Sequence, residues 1–209
     1  MKEDLKMNFL DNLDARKSIR HFDPKHEIEN DEILSILNHA SKSPSNNNAQ
    51  PWKVVVIKNK FLIKKIQEFS FNQEQVGQSS AVFLILGDTK AYNVDDLIKK
   101  GIKYKLISKL QVENKKQRIE TYFKLHPEDK EEVGLRFDIG LFSMNLMHVL
   151  RAFGYDSVPM RGVDFLSIMN LLKLPAEWKP VLLLPVGKAT TVGHSHSRES
   201  AISFTTIIE

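Results

Sequence analysis

The chain of 209 residues contains no cysteine. This absence excludes disulfide bonds, thiolate nucleophiles, iron–sulfur clusters and cysteine-based zinc sites. Among the nine glycines no two are separated by a single residue, so neither a G-x-G-x-x-G fingerprint nor a P-loop is present. The patterns H-E-x-x-H and G-x-S-x-G are also missing. A bound phosphate would therefore have to be held by side chains rather than by a glycine-rich turn.

The sequence also lacks a long uninterrupted apolar run. Its most apolar segment, Phe137–Phe153, contains Asp138 and Arg151, which are costly to place in lipid. The first residues, Met1–Leu13, have no apolar stretch of signal-peptide length. We therefore expect a cytoplasmic protein without a membrane partner.

Positive charge exceeds negative charge only slightly, and the formal net charge is +4. Such an excess fits anionic small molecules at least as well as nucleic acid. The densest basic stretch, Lys99–Arg118, is opposed only by Glu113, and apolar residues recur in it at every fourth position. This pattern is typical of a surface helix with a solvated basic face. No nucleic-acid motif accompanies it, and no nucleic-acid partner is expected.

Local patterns predict most of the regular elements. Helices are expected at Met7–Leu13, from Asn30 or Asp31 to before Pro44, and at Phe61–Phe69, Arg136–Phe153 and Phe165–Leu172. Strands are expected at Trp52–Ile57, Ala81–Leu86, Val181–Val186 and Ala201–Ile208. Strands and helices do not alternate regularly, which favours an α+β sandwich over a doubly wound sheet. We expect a single domain, 1–209, with a charged helical excursion at about 90–133.

The Arg136–Phe153 helix is apolar nearly all round. It is therefore expected to be buried on most sides, and a central helix of this character often lies in a dimer interface.

Two polar constellations stand out near the amino terminus. Arg16, Ser18 and Arg20 alternate, so an extended segment would present all three on one side. Two guanidinium groups and a hydroxyl suit a phosphate monoester, although a solvated basic edge has the same pattern. The loop Pro44–Trp52 offers amides and a hydroxyl between two prolines. It could be a turn-rich connector, or it could supply donors and acceptors to a flat heterocycle.

Near the carboxyl terminus, His194 and His196 flank Ser195. No carboxylate is adjacent to them in sequence, so a polar connector is favoured over a metal site, and no metal is expected.

The order and spacing of several motifs resemble the FMN-dependent nitroreductase family. The resemblance rests on Arg-x-Ser-x-Arg-x-Phe at Arg16, Pro-Ser-x-x-Asn-x-Gln-Pro-Trp at Pro44, the segments Phe71–Gln75 and Ser79–Ala81, Gly154–Gly162, Leu184–Gly187 and Ser197–Arg198. It covers essentially the whole chain, with 90–133 the least similar part. It implies a nitroreductase-like sandwich, with a central mixed sheet of about four to five strands flanked by helices. The last strand would be contributed by the partner subunit of a homodimer.

The resemblance also implies a set of FMN-binding residues. Arg16, Ser18 and Arg198 would hold the phosphate, with Lys17 and Arg20 nearby. The partner subunit would supply Pro44, Ser45, Asn46 and Asn48. Asn72 and Gln75 would contact the pyrimidine edge or ribityl chain, and Pro159, Met160, Arg161 and Gly162 would line the ring. No side chain is expected to act as acid, base or nucleophile, because the chemistry would take place on flavin N5.

The sequence departs from relatives at two of its positions. Several relatives have an acidic residue at the position of Arg161, and some have lysine at that of His196. The arginine at position 161 makes the electrostatic potential near the expected flavin ring more positive. The second difference weakens the case for His196 as a phosphate ligand.

The resemblance implies an oxidoreductase with a ping-pong cycle. Electrons would pass from NAD(P)H through FMN to a nitroaromatic, a quinone or a similar acceptor. Two alternatives stay open, namely another flavin reaction on the same scaffold and a flavin-binding or sensing protein without turnover. Substrate-selecting lid residues are expected around Tyr104, Tyr122 and Phe123.

Overall fold

The structure is a computed structural model, and it describes residues 9–209. A four-stranded sheet has the order β1-β2-β4-β3. The strands are β1 (Trp52–Ile57), β2 (Ala81–Asp88), β3 (Asp156–Ser157) and β4 (Trp178–Gly187). The helices are α1 (Phe9–Ala15), α2 (Asn30–Ala40), α3 (Lys60–Glu68), α4 (Glu74–Gly77), α5 (Val94–Lys103), α6 (Val112–Leu125), α7 (Glu132–Ala152) and α8 (Phe165–Leu171).

All strand pairs of this sheet are antiparallel, so the expectation of a mixed sheet was wrong in that respect. In the described part of the chain, the one parallel pairing is an isolated bridge between Ser18 and Ser157. The α+β class and the flanking helices are confirmed. Strand β3 has only two residues, too few to show a periodic pattern in the sequence.

The core has one layer on each face of the sheet, and the side chains of β2 are buried in both layers. Phe83 and Ile85 belong to one cluster, which also contains buried residues of α2 and α7. Val82 and Leu84 belong to another, which includes residues of α3 and α8. Burial on both faces is the reason that this strand is a continuous apolar run rather than an alternating one.

Helix α7 begins at Glu132, earlier than predicted, and ends as expected before Gly154, whose φ is +77°. A left-handed residue is the usual end of a helix, and glycine adopts it without steric cost. Leu135, Ile139 and Leu146 are fully buried against the sheet and α2.

The expected burial of α7 on most sides does not hold within one chain. Val133, Phe137, Leu141 and Met144 form an exposed apolar stripe along it, with Phe137 69% exposed. A stripe of this kind on a helix surface is characteristic of an interaction face.

The carboxyl-terminal segment Ala201–Ile208 is not a strand in the described chain. Ala201–Ser203 is a short 3-10 turn, and the apolar side chains of Ile202, Phe204, Ile207 and Ile208 are exposed. The pairing expected of this segment is with a partner subunit, so that part of the expectation remains a prediction.

Helix α1 continues to Ala15, beyond the expected end at Leu13. Its expected first residues, 7 and 8, lie outside the described range. Within residues 9–209, no helix combines the length and the apolar character that crossing a membrane requires.

Candidate functional site

A group of basic side chains collects at the carboxyl-terminal end of α7. Arg16, which directly follows α1, is partly buried. Burial lowers the pKa of Arg16, and the nearby guanidinium groups of Arg198 and Arg151 lower it further. Within residues 9–209, Arg16 forms no ion pair, so this repulsion is not offset by a carboxylate of its own. Uncompensated guanidinium groups in close proximity are suited to a multiply charged anion.

Arg151 completes this cationic cluster from one face of α7, and His148 lies beside it on the same face. Burial lowers the pKa of His148, with further lowering by Arg16 and Arg151. Neither ring nitrogen of His148, nor Nε of Arg151, has a hydrogen-bond partner within residues 9–209. Arg151 pairs with Asp156. Buried polar atoms without partners are uncommon in proteins, and here they surround the unpaired Arg16.

The segment after β4 brings Arg198 back to Arg16 in the same chain. Thr190 N–H donates to the His21 carbonyl at 3.1 Å. A Cβ on Gly193 would lie 3.1 Å from the Ser18 carbonyl oxygen, so the two segments pass very closely there. The structure thus brings together two of the three residues expected to hold a phosphate, Arg16 and Arg198, and places Ser18 beside the returning segment.

A second set of expected residues lies along the edge of the sheet, beginning beside Ser18. Ile19 N–H donates to the Ser157 carbonyl at 3.2 Å. Three residues further on, Met160 pairs with Leu183 of β4 through two backbone hydrogen bonds, of 2.8 and 2.9 Å. Ser157 and Met160 pair with Val186 and Leu183 of β4, and a strand rises about 3.3 Å per residue, so the two lie about 10 Å apart along β4. This arrangement suits an elongated ligand with a phosphate at one end.

Gln75 and Asn72 lie at the Met160 end of this line. The buried Gln75 amide donates to Gln73 at 2.8 Å and lies 3.8 Å from the Met160 sulfur. Asn72 has a left-handed backbone with φ of 55°, and its carbonyl accepts from the Gln67 amide at 3.4 Å. Its side chain is exposed. The structure therefore brings Gln75 and Met160 into contact and leaves Asn72 free to turn outward.

The other residues expected to bind the cofactor in this region are more exposed to solvent. Pro159, Arg161 and Gly162 are exposed, as is Arg20, while Lys17 is partly buried. In the described chain, no ion pair or side-chain hydrogen bond engages Arg161. Its positive charge is available at this end of the site.

The Pro44–Asn48 loop is anchored elsewhere, at the amino-terminal half of α7. Asn46 N–H donates to both carboxylate oxygens of Asp138, at 3.1 and 3.2 Å. The Asn46 side chain donates to Tyr122 at 3.1 Å and to Asp129 at 3.3 Å. Three non-glycine residues of this region are left-handed, with φ of 48° at Asn47, 56° at Asn48 and 51° at Gln50. A left-handed conformation at a non-glycine residue is strained and is kept only where surrounding contacts hold it in place. The hydrogen bonds of Asn46 hold this loop in place.

One chain does not bring this loop to the cationic cluster. Ten residues of α7 separate Asp138, which holds Asn46, from His148, a distance of about 15 Å along the helix. Pro44 and Ser45 instead share a cavity of about 410 Å³ with Phe137 and Leu141 of the exposed stripe. The loop therefore lies beside the face of α7 that is free to meet another subunit.

The expected lid residues have three different environments. Phe123 is buried in the core, so its ring is not an exposed surface of one chain. Its ring packs edge-on against Tyr92 and Tyr122. Tyr122 is held by hydrogen bonds to Asn46 and Asp129. Tyr104 is 60% exposed, and of the three it alone has a largely accessible ring.

The histidines near the carboxyl terminus, His194 and His196, are exposed. Over residues 9–209 no group of three or more potential metal-ligating side chains occurs.

The model of the nitroreductase family matches residues 13–188. The chain belongs to the nitroreductase family. It is 33% identical over 194 residues to YdgI of Bacillus subtilis, described as an NAD(P)H nitroreductase, covering 91% of this chain and 93% of YdgI. It is 32% identical over 182 residues to a CLA biosynthesis enone reductase of Lactiplantibacillus plantarum, covering 83% and 82% of the two chains.

Solved nitroreductase-like structures share the fold. A nitroreductase-like protein of Streptococcus mutans is 49% identical, with a TM-score of 0.94 and coverage of 96% of this chain and 98% of its own. A nitroreductase of Exiguobacterium sibiricum in complex with FMN is 30% identical, with a TM-score of 0.87 and coverage of 97% and 98%. The expected family is confirmed, and the expected FMN cofactor agrees with that complex.

Sequence reasoning missed three residues that the structure places at the site. His148 and Arg151 are separated by three positions and so share a face of α7, a spacing that could have linked them. Asp138 is a buried acid in an apolar helix, and such a residue requires hydrogen-bond donors. Nothing in the sequence identifies Asn46 as the donor, because the two residues are 92 positions apart.

Proposed function

We propose that the chain is an NAD(P)H-dependent FMN oxidoreductase that works as a homodimer. The observation that carries the proposal is the cationic cluster of Arg16, Arg198 and Arg151, in which only Arg151 pairs with an acid in the described residues. The chain belongs to the nitroreductase family, and Arg16 and Arg198 are two of the residues that the resemblance implies for the FMN phosphate.

The chemistry of these side chains fits the phosphate of FMN. Arginine donates forked, charge-assisted hydrogen bonds to phosphate oxygens, and the Ser18 hydroxyl can add a neutral one. A bound dianion would offset the burial and the repulsion from Arg198 and Arg151 that together lower the pKa of Arg16. Gln75, Met160 and the backbone before Gly162 would then lie along the rest of the cofactor. When bound, FMN supplies a ring that accepts a hydride from NAD(P)H and passes reducing equivalents to a second molecule.

The residues of this chain would bind and orient the substrates rather than react with them. Arg161 adds positive charge at the expected ring end of the site, where a backbone N–H would face a nitrogen that gains electrons. The two substrates would occupy one face of the ring in turn. A ping-pong mechanism follows, with a nitroaromatic compound or a quinone as the acceptor.

The homodimer would complete each site. If two α7 helices pack antiparallel through their exposed stripes, the Asp138 end of one lies beside the His148 end of the other. The Pro44–Asn48 loop of one subunit would then reach the cationic cluster of its partner. The apolar tail after Ser200 would add to the partner's sheet and so be removed from water.

An activated alkene is a second candidate acceptor. The 32% identity to an enone reductase, over most of both chains, favours it. Reduction of an enone would use the same cofactor and the same half-reaction with NAD(P)H. Only the shape of the acceptor region would differ.

The proposed function is tested with the purified full-length protein. We expect a yellow protein with about one noncovalent FMN per subunit, and NADH or NADPH oxidation that depends on a quinone, a nitroarene or an enone. Double-reciprocal plots should be parallel, and each substrate should inhibit competitively against the other. Intersecting lines would contradict the shared-face mechanism. A protein that neither releases nor takes up FMN would contradict the cofactor assignment, and bound FMN without turnover would indicate a sensor.

A further inference from the structure

A basic cleft lies between the Pro44–Asn48 loop and α6. Two adjoining cavities, of about 570 and 200 Å³, share Asn47, Lys115 and Ile119 as lining residues. We call the combined space the α6 cleft. Because Asn47 belongs to the loop proposed to meet the cofactor, the cleft opens next to the proposed cofactor site.

The α6 cleft carries positive charge without a negative counterpart. Lys115 and Arg118 line its larger part, and Lys100 lines its smaller part. Among residues 9–209, no acidic side chain lines either cavity. Lys116, the neighbour of Lys115, points away and pairs with Asp95. Asp95 of α5 thus neutralises a lysine on the other side of α6, and the side that lines the cleft stays basic.

The rest of the lining is apolar or aromatic. Ile119 is 2% exposed and forms the base of both cavities. Ile107 and the accessible ring of Tyr104 line the smaller cavity, and Leu125 lines the larger one. An apolar base beneath a rim of cations suits a molecule with an apolar body and one anionic group.

We propose that the α6 cleft binds the carboxylate-bearing end of an organic electron acceptor. This inference rests on the proposed function and adds to it a substrate class, namely an aromatic or unsaturated organic acid. Lys115 and Arg118 would contact the carboxylate, and the apolar body would extend over Ile119 toward Asn47 and the flavin. A phosphate of NADPH shares the anionic chemistry, but it would bring a polar nucleotide onto the apolar base.

The experiment compares 4-nitrobenzoate with its methyl ester, which has the same nitro group and no charge. The variant Lys115→Gln/Arg118→Gln removes both charges and keeps long polar side chains. The control Lys99→Gln/Lys109→Gln removes the same charge from the same basic stretch, and neither residue lines the cleft. We expect kcat/KM for 4-nitrobenzoate to fall about three- to tenfold in the cleft variant, as the loss of one partly buried and one exposed charge contact would give. The ester should change less than about twofold, and the control should resemble the wild type.

Binding to the oxidised, FMN-loaded protein provides a readout that does not depend on turnover. Calorimetric titration with 4-nitrobenzoate should show the same three- to tenfold loss of affinity in the cleft variant. Equal losses for the acid and the ester would overturn the proposal, as would unchanged affinity for the acid. A rise in KM for NADPH, with no effect on NADH or the acid, would also overturn it and assign the cations to the nucleotide. Absence of turnover with every acceptor would refute the proposed function alone, because the titration still decides the cleft.

Discussion

The carboxylate of Asp138 accepts hydrogen bonds from the backbone N–H of Asn46, at 3.1 and 3.2 Å to its two oxygens. It also accepts from the Tyr92 hydroxyl at 2.8 Å. Asp138 is 3% exposed, so neither donor has an easy alternative in water. One buried acid therefore fixes the loop proposed to meet the cofactor to the middle of the molecule.

Replacing Asp138 with alanine should destabilise the fold. The Asn46 N–H and the Tyr92 hydroxyl would lose their acceptor, which costs roughly 1–3 kcal/mol for a buried group. Urea unfolding followed by circular dichroism measures the change. Asp96→Ala is the matched control, because Asp96 is exposed and, among residues 9–209, forms its ion pair with Lys99 alone. Equal stability of the Asp138 and Asp96 variants would show that the Asp138 contacts contribute nothing.

The stability of the protein should also depend on pH through Asp138. Burial raises the pKa of this carboxyl, while the bonds from Tyr92 and Asn46 oppose the rise. The folded chain therefore holds the proton more tightly than the unfolded one. The resulting stabilisation is complete below the ordinary carboxyl pKa of about 3.9 and is lost as the pH rises through the raised value.

Asp138→Asn removes this titration and keeps an acceptor oxygen. Between about pH 4 and neutrality, the wild type should lose unfolding free energy relative to this variant. Denaturant unfolding at several pH values gives the difference curve. Parallel curves over the whole range would mean that the pKa of Asp138 is not raised in solution.

Replacing Arg16 or Arg198 with alanine should weaken FMN binding by roughly 1.5–3 kcal/mol in each case, the worth of a lost charge-assisted hydrogen bond. Fluorescence titration of the apoprotein measures the dissociation constant. Riboflavin, which lacks the phosphate, should bind the wild type and both variants with similar affinity. Lys173→Ala is the control, because Lys173 is exposed and remote from the cluster in sequence. Unchanged FMN affinity in both arginine variants would remove them from the phosphate site.

Two truncations should separate the roles of the carboxyl-terminal segment. A chain ending at Gly187 lacks Arg198 and the exposed apolar tail, so it should lose both FMN and the dimer. A chain ending at Ser200 keeps Arg198 beside Arg16 and should lose mainly the dimer, because the side chains of 201–209 are exposed in one chain. Sedimentation velocity and flavin fluorescence report the two properties. A flavin-loaded monomer from the shorter chain would refute the proposed role of the tail.

The elements that sequence reasoning located well are those whose patterns are local. Trp52–Ile57 is a strand with the predicted bounds, and the buried strand from Ala81 was recognised from its continuous apolar run. The carboxyl-terminal end of α7 was marked by Gly154. In each of these cases a few neighbouring residues decide the backbone conformation.

Features that depend on residues far apart in the sequence were harder to predict. The antiparallel direction of the strand pairs depends on how the chain returns between them, which no local pattern contains. The partners of Asn46 come from three separate elements. The burial of Phe123 could not be predicted, because two adjacent aromatic residues in a charged segment give no sign of which side of their helix is buried.

The length of α7 between Asp138 and His148 has a genetic consequence. If each catalytic centre combines the loop of one subunit with the basic cluster of another, a chain defective only in the loop and a chain defective only at Arg198 can complement each other. A mixed dimer of these two chains would contain one wholly intact centre and one doubly damaged centre. Co-expression of two inactive variants would then restore part of the activity, whereas centres confined to single subunits would stay inactive in every combination.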